Sequence, residues 1–582
     1  MPETTISKAY KAFFLGPKAE NAAWTGAEFQ AVLDHWFNWR KGLFPGDPPI
    51  STAEERQSAP YLRARAAMTE GLETLTELLS HEMPKYTPRY IGHMVADLSL
   101  PALLGHFAAL LHNPNNTCRD ASWVGTRIET DVIAMLATMV GYDPAKAHGH
   151  ITGGGTVANF EAVWRARFRQ DHWLSLALYL AEKRGLTLPL MEAGHMGWHR
   201  FGALLNEYDV RLDDLRGYSG IASNPYAFGE RMTAAFGLPY RGPVLLVPEN
   251  KHFSWTKATN VFGFGEESFW PIALDDMGRL NIASLQEQID HADKAGRPIT
   301  MVVSVAGTTE TGKIDPIDRV QDVLDQTRAT RGWDIWHHVD AAYGGFLCSM
   351  LRGPNPADAL SPSNTAALAS ISRVHSVTID PHKLGYVPYA CGAILTRDTQ
   401  AYAVSSFKAP YLERQLEMPD KWSTTLEGSR SAAGATATWL TGKTLGFDAG
   451  GMGGVIAATI GACRQVKDRL AQLVPAFRPL EPTDTNILCF SLAREGDSLK
   501  AANAATEAMY DRFATSPDFA VSKTTLGVKS HRLMIERHTG TYDGPLDDDH
   551  LVLLRMVFMN PFWAEDKLRD QLSEELATFL NT

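Results

Sequence analysis

The stretch Thr378-Ile379-Asp380-Pro381-His382-Lys383 decides the fold, because a short apolar run stops there in ionisable residues. Upstream, His338-Val339-Asp340-Ala341-Ala342-Tyr343-Gly344-Gly345 repeats the arrangement with a carboxylate in place of the lysine. Val244-Leu245-Leu246-Val247 and Thr300 to Val305 resemble Ile335 to Asp340 and Ser376 to Ile379: all are short apolar runs rich in β-branched residues. Such runs read as buried strands, and helical patterns lie between them. Strands alternating with helices predict an α/β fold with a mainly parallel central sheet covered on both faces. Parallel strands end on one side, so Asp340 and Lys383 are expected to face one crevice.

A chain of 582 residues exceeds one simple domain. Residues 1–114 read as an N-terminal helical segment. Pro45-Gly46-Asp47-Pro48-Pro49 breaks it, and Ala53 to Ser80 carries Leu72, Leu75, Leu78 and Leu79 on one helical face. Residues 115–435 hold the sheet pattern and a long loop at about 403–430 with few periodic apolar positions, a length that points to function. Residues 436–582 read as a long helix and a small C-terminal α+β domain, with Asn486 to Leu492 and Leu551 to Met559 as strands.

The formal charge of −11 excludes a broad nucleic-acid surface, which needs a basic face. Leu98 to Leu111 is short and broken by Pro101, Gly105 and His106, so no membrane span is expected. Met1-Pro2-Glu3-Thr4-Thr5 lacks the pattern of a signal peptide. Cys118, Cys348, Cys391, Cys463 and Cys489 are scattered without CxxC spacing, which suits a reducing compartment. A cytoplasmic protein is expected. His148/His150 and His337/His338 lack metal-helix spacing, so no metal site is expected, and no Gly-x-Ser-x-Gly elbow suggests serine hydrolysis.

Ile151-Thr152-Gly153-Gly154-Gly155-Thr156 precedes a helical pattern through Val157, Phe160, Trp164 and Phe168. A glycine loop opening a helix turns N–H groups toward an anion, although glycine turns before helices are common. Val247-Pro248-Glu249-Asn250-Lys251-His252 puts an imidazole beyond a strand, where it stacks on a flat ring or is satisfied by backbone. Ala306-Gly307-Thr308-Thr309 offers two hydroxyls that serve a ligand or cap the turn. Asp340, ending a buried strand, needs a cationic partner, which a ligand or an arginine would supply. An anion loop, an imidazole, hydroxyls, a carboxylate and an amine thus stand at successive strand ends. Pyridoxal phosphate needs this set: a lysine for its Schiff base and an acid that keeps its pyridine nitrogen protonated.

On these residues the chain resembles the group II pyridoxal-phosphate-dependent decarboxylases, which adopt the fold-type I, aspartate aminotransferase-like architecture. The likeness runs from about residue 85 to 440. Ile151 to Ala162 and Asp380 to Ile394 look nearest the bacterial tyrosine decarboxylase branch. The resemblance implies that Lys383 forms the Schiff base, Asp340 meets the pyridine nitrogen, and Ala342 and the catalytic imidazole of His252 flank the ring. It implies that Gly155, Thr156 and His382 hold the phosphate and that Thr309 approaches the ring hydroxyl. Tyr411, in Ala409-Pro410-Tyr411-Leu412, would donate a proton from a mobile catalytic loop. In Gly428-Ser429-Arg430, Ser429 would reach the cofactor and Arg430, which departs from the lysine of the tyrosine branch, the substrate carboxylate. Tyr90 and His93 fall in the segment that lines substrate pockets, and homodimers with shared sites are the rule.

The expected reaction is decarboxylation of an L-amino acid to its amine, with an aromatic substrate such as tyrosine. Arg89 or Lys85 meeting a second carboxylate would instead favour glutamate or aspartate. A Cα–Cβ lyase like the sphingosine-phosphate lyases shares much of the scaffold. A catalytically silent scaffold protein is the alternative outside enzymology, and a missing lysine or aspartate would be its sign; both residues are present.

Overall fold

Seven strands build the main sheet: β1 (His148–Thr152), β2 (Val244–Pro248), β3 (Phe269–Ile272), β4 (Ile299–Val305), β5 (Trp336–Ala341), β6 (Ser376–Ile379) and β7 (Gly392–Thr396). The computed structural model describes residues 8–405 and 421–582. The strand order is β1-β7-β6-β5-β4-β2-β3. Strands β3, β2, β4, β5 and β6 pair in parallel, and β7 runs antiparallel to both β6 and β1. The exception has a local cause. Residues 380–391 between β6 and β7 hold no helix, and a return to parallel pairing needs a crossover, usually helical.

Every residue of β2, β4, β5, β6 and β7 is buried, which explains why apolar residues prevail in them and why polar ones such as His337 and His338 are hydrogen-bonded inside. Helices α1 (Ala22–Leu43), α2 (Ala59–Ser80), α3 (Leu100–His112), α4 (Gly125–Val140) and α5 (Gly155–Arg184) precede or flank this sheet. Ala158, Ala162 and Ala166 of α5 recur every four residues and pack with Leu245, Val247, Met301 and Val303. The helix extends well past Phe168 because Leu174, Leu176 and Leu178 give it a second apolar contact, and Gly185 ends it at φ 67°.

A second, antiparallel sheet has the order β10-β11-β9-β8, with β8 at Phe477–Pro479, β9 at Ile487–Leu492, β10 at Ser522–Gly527 and β11 at His550–Val557. The helix Met452–Leu473 leads into it. The N-terminal helices differ from everything else. Pro60 sits at the start of α2, later than the expected Ala53, and α2 buries no residue; α1 buries only Thr25.

Candidate active site

A cavity of about 330 Å³ opens at the carboxyl ends of β4, β5 and β6, beside the first turn of α5. Asp340, Lys383, His252 and Thr309 line it, as do Gly155, Thr156, Ala342 and His382.

Asp340 is the penultimate residue of β5 and is buried. Its Oδ2 accepts from Asn159 Nδ2 at 2.8 Å and Trp255 Nε1 at 2.9 Å, while Oδ1 takes only a longer bond, 3.3 Å, from Ala342 N–H. Among the described residues no lysine or arginine forms an ion pair with it. The arginine partner that would have explained Asp340 structurally is absent from this set, and two neutral N–H donors stand there instead. A buried carboxylate held in place by neutral donors keeps its charge available to a cation that enters the cavity.

Lys383 lies beyond β6 with Nζ 3.1 Å from Asp380 Oδ2. Asp380 is buried, and its Oδ1 has no hydrogen-bond partner. Space around it is tight. A Cβ on Gly155 would stand 2.8 Å from Asp380 Oδ2 and 3.1 Å from the Ala342 Cβ. Gly154, with φ 153°, precedes it, so this turn is open to glycine alone. The loop N–H groups at the start of α5 are those an anion would use.

Hydrogen bonds orient the two histidine rings. Ser254 N–H donates to His252 Nδ1 at 3.2 Å, so the ring proton sits on Nε2. His382 Nδ1 meets the Cys391 carbonyl at 2.6 Å and must donate, and its Nε2 stands 3.6 Å from Asp380 Oδ2. Burial lowers the pKa of both. The hydroxyl pair divides its duties: Thr308 Oγ1 accepts from Lys313 N–H at 2.9 Å and is buried, whereas Thr309 lines the cavity.

Other expected site residues are not on the cavity wall. Arg430 is buried in an ion pair with Glu129, Nη1 to Oε1 2.5 Å, and donates to the carbonyls of Ile151 and Asn116. Ser429 is exposed and accepts from Asn115. Tyr90 is buried beside Ala520, and His93 is exposed. Tyr411 lies outside the described residues, as does most of the loop expected at 403–430. Sequence reasoning assigned no role to Asn159, Trp255, Asp380 or Tyr389. Asn159 and Trp255 had a faint signal, since each lies four or three positions along from a residue already singled out, Gly155 and His252.

An amine, a carboxylate free of cations, glycine-loop N–H groups and an unsatisfied buried Asp380 oxygen in one cavity fit pyridoxal phosphate. Residues 237–493 match the conserved domain of pyridoxal-dependent decarboxylases. L-tyrosine decarboxylase of Levilactobacillus brevis is 30% identical over 534 residues, covering 86% of this chain and 83% of that protein. L-tyrosine decarboxylase of Enterococcus faecium is 28% identical over 620 residues, 97% of each. The apo structure of mouse CSAD superposes with a TM-score of 0.62 at 19% identity, covering 93% of this chain and 91% of that one, a likeness of fold.

Proposed function

The chain belongs to the pyridoxal-dependent decarboxylase family, and on that footing we propose that its substrate is L-tyrosine. The family sets the cofactor and the reaction, release of CO2 from an L-amino acid to leave the amine. Two relatives that carry the name L-tyrosine decarboxylase cover most of the chain. The observation that carries the choice is the charge of the cavity wall. Among the described residues it holds two carboxylates, Asp340 and Asp380, against one ammonium, Lys383. An acidic side chain would find no spare cation there, whereas a phenol brings no charge and has neutral imidazoles and hydroxyls to meet.

In this reading Lys383 holds the cofactor covalently, Asp340 pairs with its ring nitrogen, and His252 and Ala342 flank the ring. Gly155, Thr156 and His382 receive the phosphate, and Thr309 the ring hydroxyl. Bound there, pyridoxal phosphate supplies an electron sink for the bond that breaks as CO2 leaves. Asp340, fixed by Asn159 and Trp255, keeps a proton at the ring nitrogen because a buried anion favours a cation beside it. Tyr411 remains the proposed proton donor.

Arg430 is committed to Glu129, so the proposal for the substrate carboxylate moves to Arg555. This buried guanidinium donates Nη1 to Gly92 O at 2.9 Å and has an unpartnered Nε, with no carboxylate paired to it among the described residues. Tyr90 and His93, which precede and follow Gly92 closely in the chain, stay proposed pocket residues. Ser429, being exposed, is proposed to reach the site of a neighbouring subunit. Residues 1–114 are proposed as the arm of a cytoplasmic homodimer, since α1 and α2 turn Trp24, Phe37, Trp39, Leu72 and Leu75 to solvent.

The test is a screen of all common L-amino acids with added pyridoxal phosphate, reading CO2 and identifying the amine by mass spectrometry. Tyramine from L-tyrosine should exceed every other product by at least about tenfold, the discrimination that a fitted polar pocket readily gives. Preferred turnover of glutamate or aspartate, or an aldehyde formed without CO2, would overturn the proposal.

A further inference from the structure

Beyond the cavity wall, two buried carboxylates on adjacent helices converge on residues 421–430. Glu129 of α4 meets Lys421 Nζ at 2.6 Å through Oε2 and Arg430 Nη1 at 2.5 Å through Oε1. The same Oε1 accepts the N–H of Ile151 at 2.9 Å, in β1 just before the glycine loop. Glu161 of α5 pairs with Arg165 and accepts the N–H of Leu426 at 2.6 Å, and Arg165 donates to the Thr424 carbonyl at 2.6 Å. The segment is therefore fastened near both ends by Glu129 and in its middle by Glu161 and Arg165. Between these points Glu427 reaches over the glycine loop, where its Oε2 accepts from Gly153 N–H at 3.3 Å.

The charge count makes Glu129 the critical member. Lys421 and Arg430 are two cations sharing one carboxylate inside the protein. The pull of both, working against burial, holds Glu129 down to about 2. Loss of that charge strands a buried guanidinium and a half-buried ammonium, and it turns a charge-assisted acceptor of Ile151 N–H into a weaker neutral one. Hydrating Lys421 and Arg430 then requires the segment to lift from α4, and the bond that sets the exit of β1 into Gly153 weakens.

We propose that Glu129 is a positioning residue for the cofactor phosphate, tying the glycine loop, through Ile151, to the segment 421–430 that lies across it. The proposal rests on the reading of Gly155 and Thr156 as the phosphate site. Its test uses the full-length protein and two readouts that do not depend on turnover. The dissociation constant of pyridoxal phosphate is measured by equilibrium dialysis of the apoprotein. Trypsin cleavage after Lys421 and after Arg430 is mapped by mass spectrometry.

In Glu129→Gln the dissociation constant should rise about tenfold, within the range usual for coupling between adjoining sites, with new cuts at both positions. Glu129→Asp, which keeps the charge, should show the same changes in smaller measure, and it carries the test if Glu129→Gln does not fold. Unchanged affinity without new cuts would overturn the proposal. So would an affinity loss that tracks a fall in melting temperature while both bonds stay protected, because that is the mark of a purely structural role. Failure of the unsubstituted protein to bind pyridoxal phosphate would instead sink the phosphate-site reading, and the proposal with it.

Discussion

The strand Trp336–Ala341 buries all six of its residues, whereas the 22-residue helix Ala59–Ser80 buries none. Both are well supplied with apolar side chains, so composition does not separate them; coverage does. Helices lie on both faces of the sheet, while α2 leaves Leu62, Met68, Leu72, Leu75 and Leu78 in solvent. An apolar stripe of that extent marks an interaction surface. The cavity residues that stand on strand ends meet within one chain, whereas the apolar faces of α1 and α2 stay uncovered among the described residues.

Four variants press on this contrast. The largest effect is expected at Lys383, on the strand-borne side. Lys383→Ala should lower amine formation more than about 10³-fold, as loss of a covalent group does, with no change of oligomeric state. Retained turnover would remove Lys383 from the chemistry. Next comes the helical side. Leu72→Glu with Leu75→Glu should move the sedimentation profile from dimer toward monomer and cut activity about tenfold, since charged residues in a buried apolar patch are unpaired. A dimer that persists would take α2 out of the interface.

The smallest effect divides two neighbours. Thr308→Val removes the acceptor of Lys313 N–H and should cost about 1 kcal/mol, seen as a lower melting temperature with turnover kept. Thr309→Val should leave the melting temperature alone and weaken cofactor binding about fivefold, the worth of one hydrogen bond. Equal behaviour of the two variants would erase the division between cap and cavity.

The strands β2, β4, β5 and β6 were legible because short runs rich in apolar and β-branched residues between helices have few other uses. β1 was not, since His148-Gly149-His150-Ile151-Thr152 looks polar; its His150 is buried against Tyr402, and a Cβ on Gly149 would stand 2.2 Å from the Ile394 carbonyl oxygen. β10 hid for another reason: its burial alternates, and its exposed positions are polar. In the site, Asp340 and Lys383 could be found from their place after such runs. The donors Asn159 and Trp255 could not, because which residue of a helix faces a carboxylate depends on how that helix is rotated against the sheet. Arg430 was read toward the substrate because nothing in the local sequence reveals Glu129, three hundred residues earlier, as its partner.

Sequence by itself determined the order of the strand ends and the residues placed there, since chain periodicity and the shared direction of parallel strands are local and topological rules. Only the tertiary structure decided which charges are spent and which are left over. Lys421 and Arg430 are consumed by Glu129, Asp340 is held by neutral donors, and α1 and α2 keep their apolar faces open. The reason is physical: charge pairing and burial act between atoms that meet in space, and distance along the chain carries almost no information about those meetings.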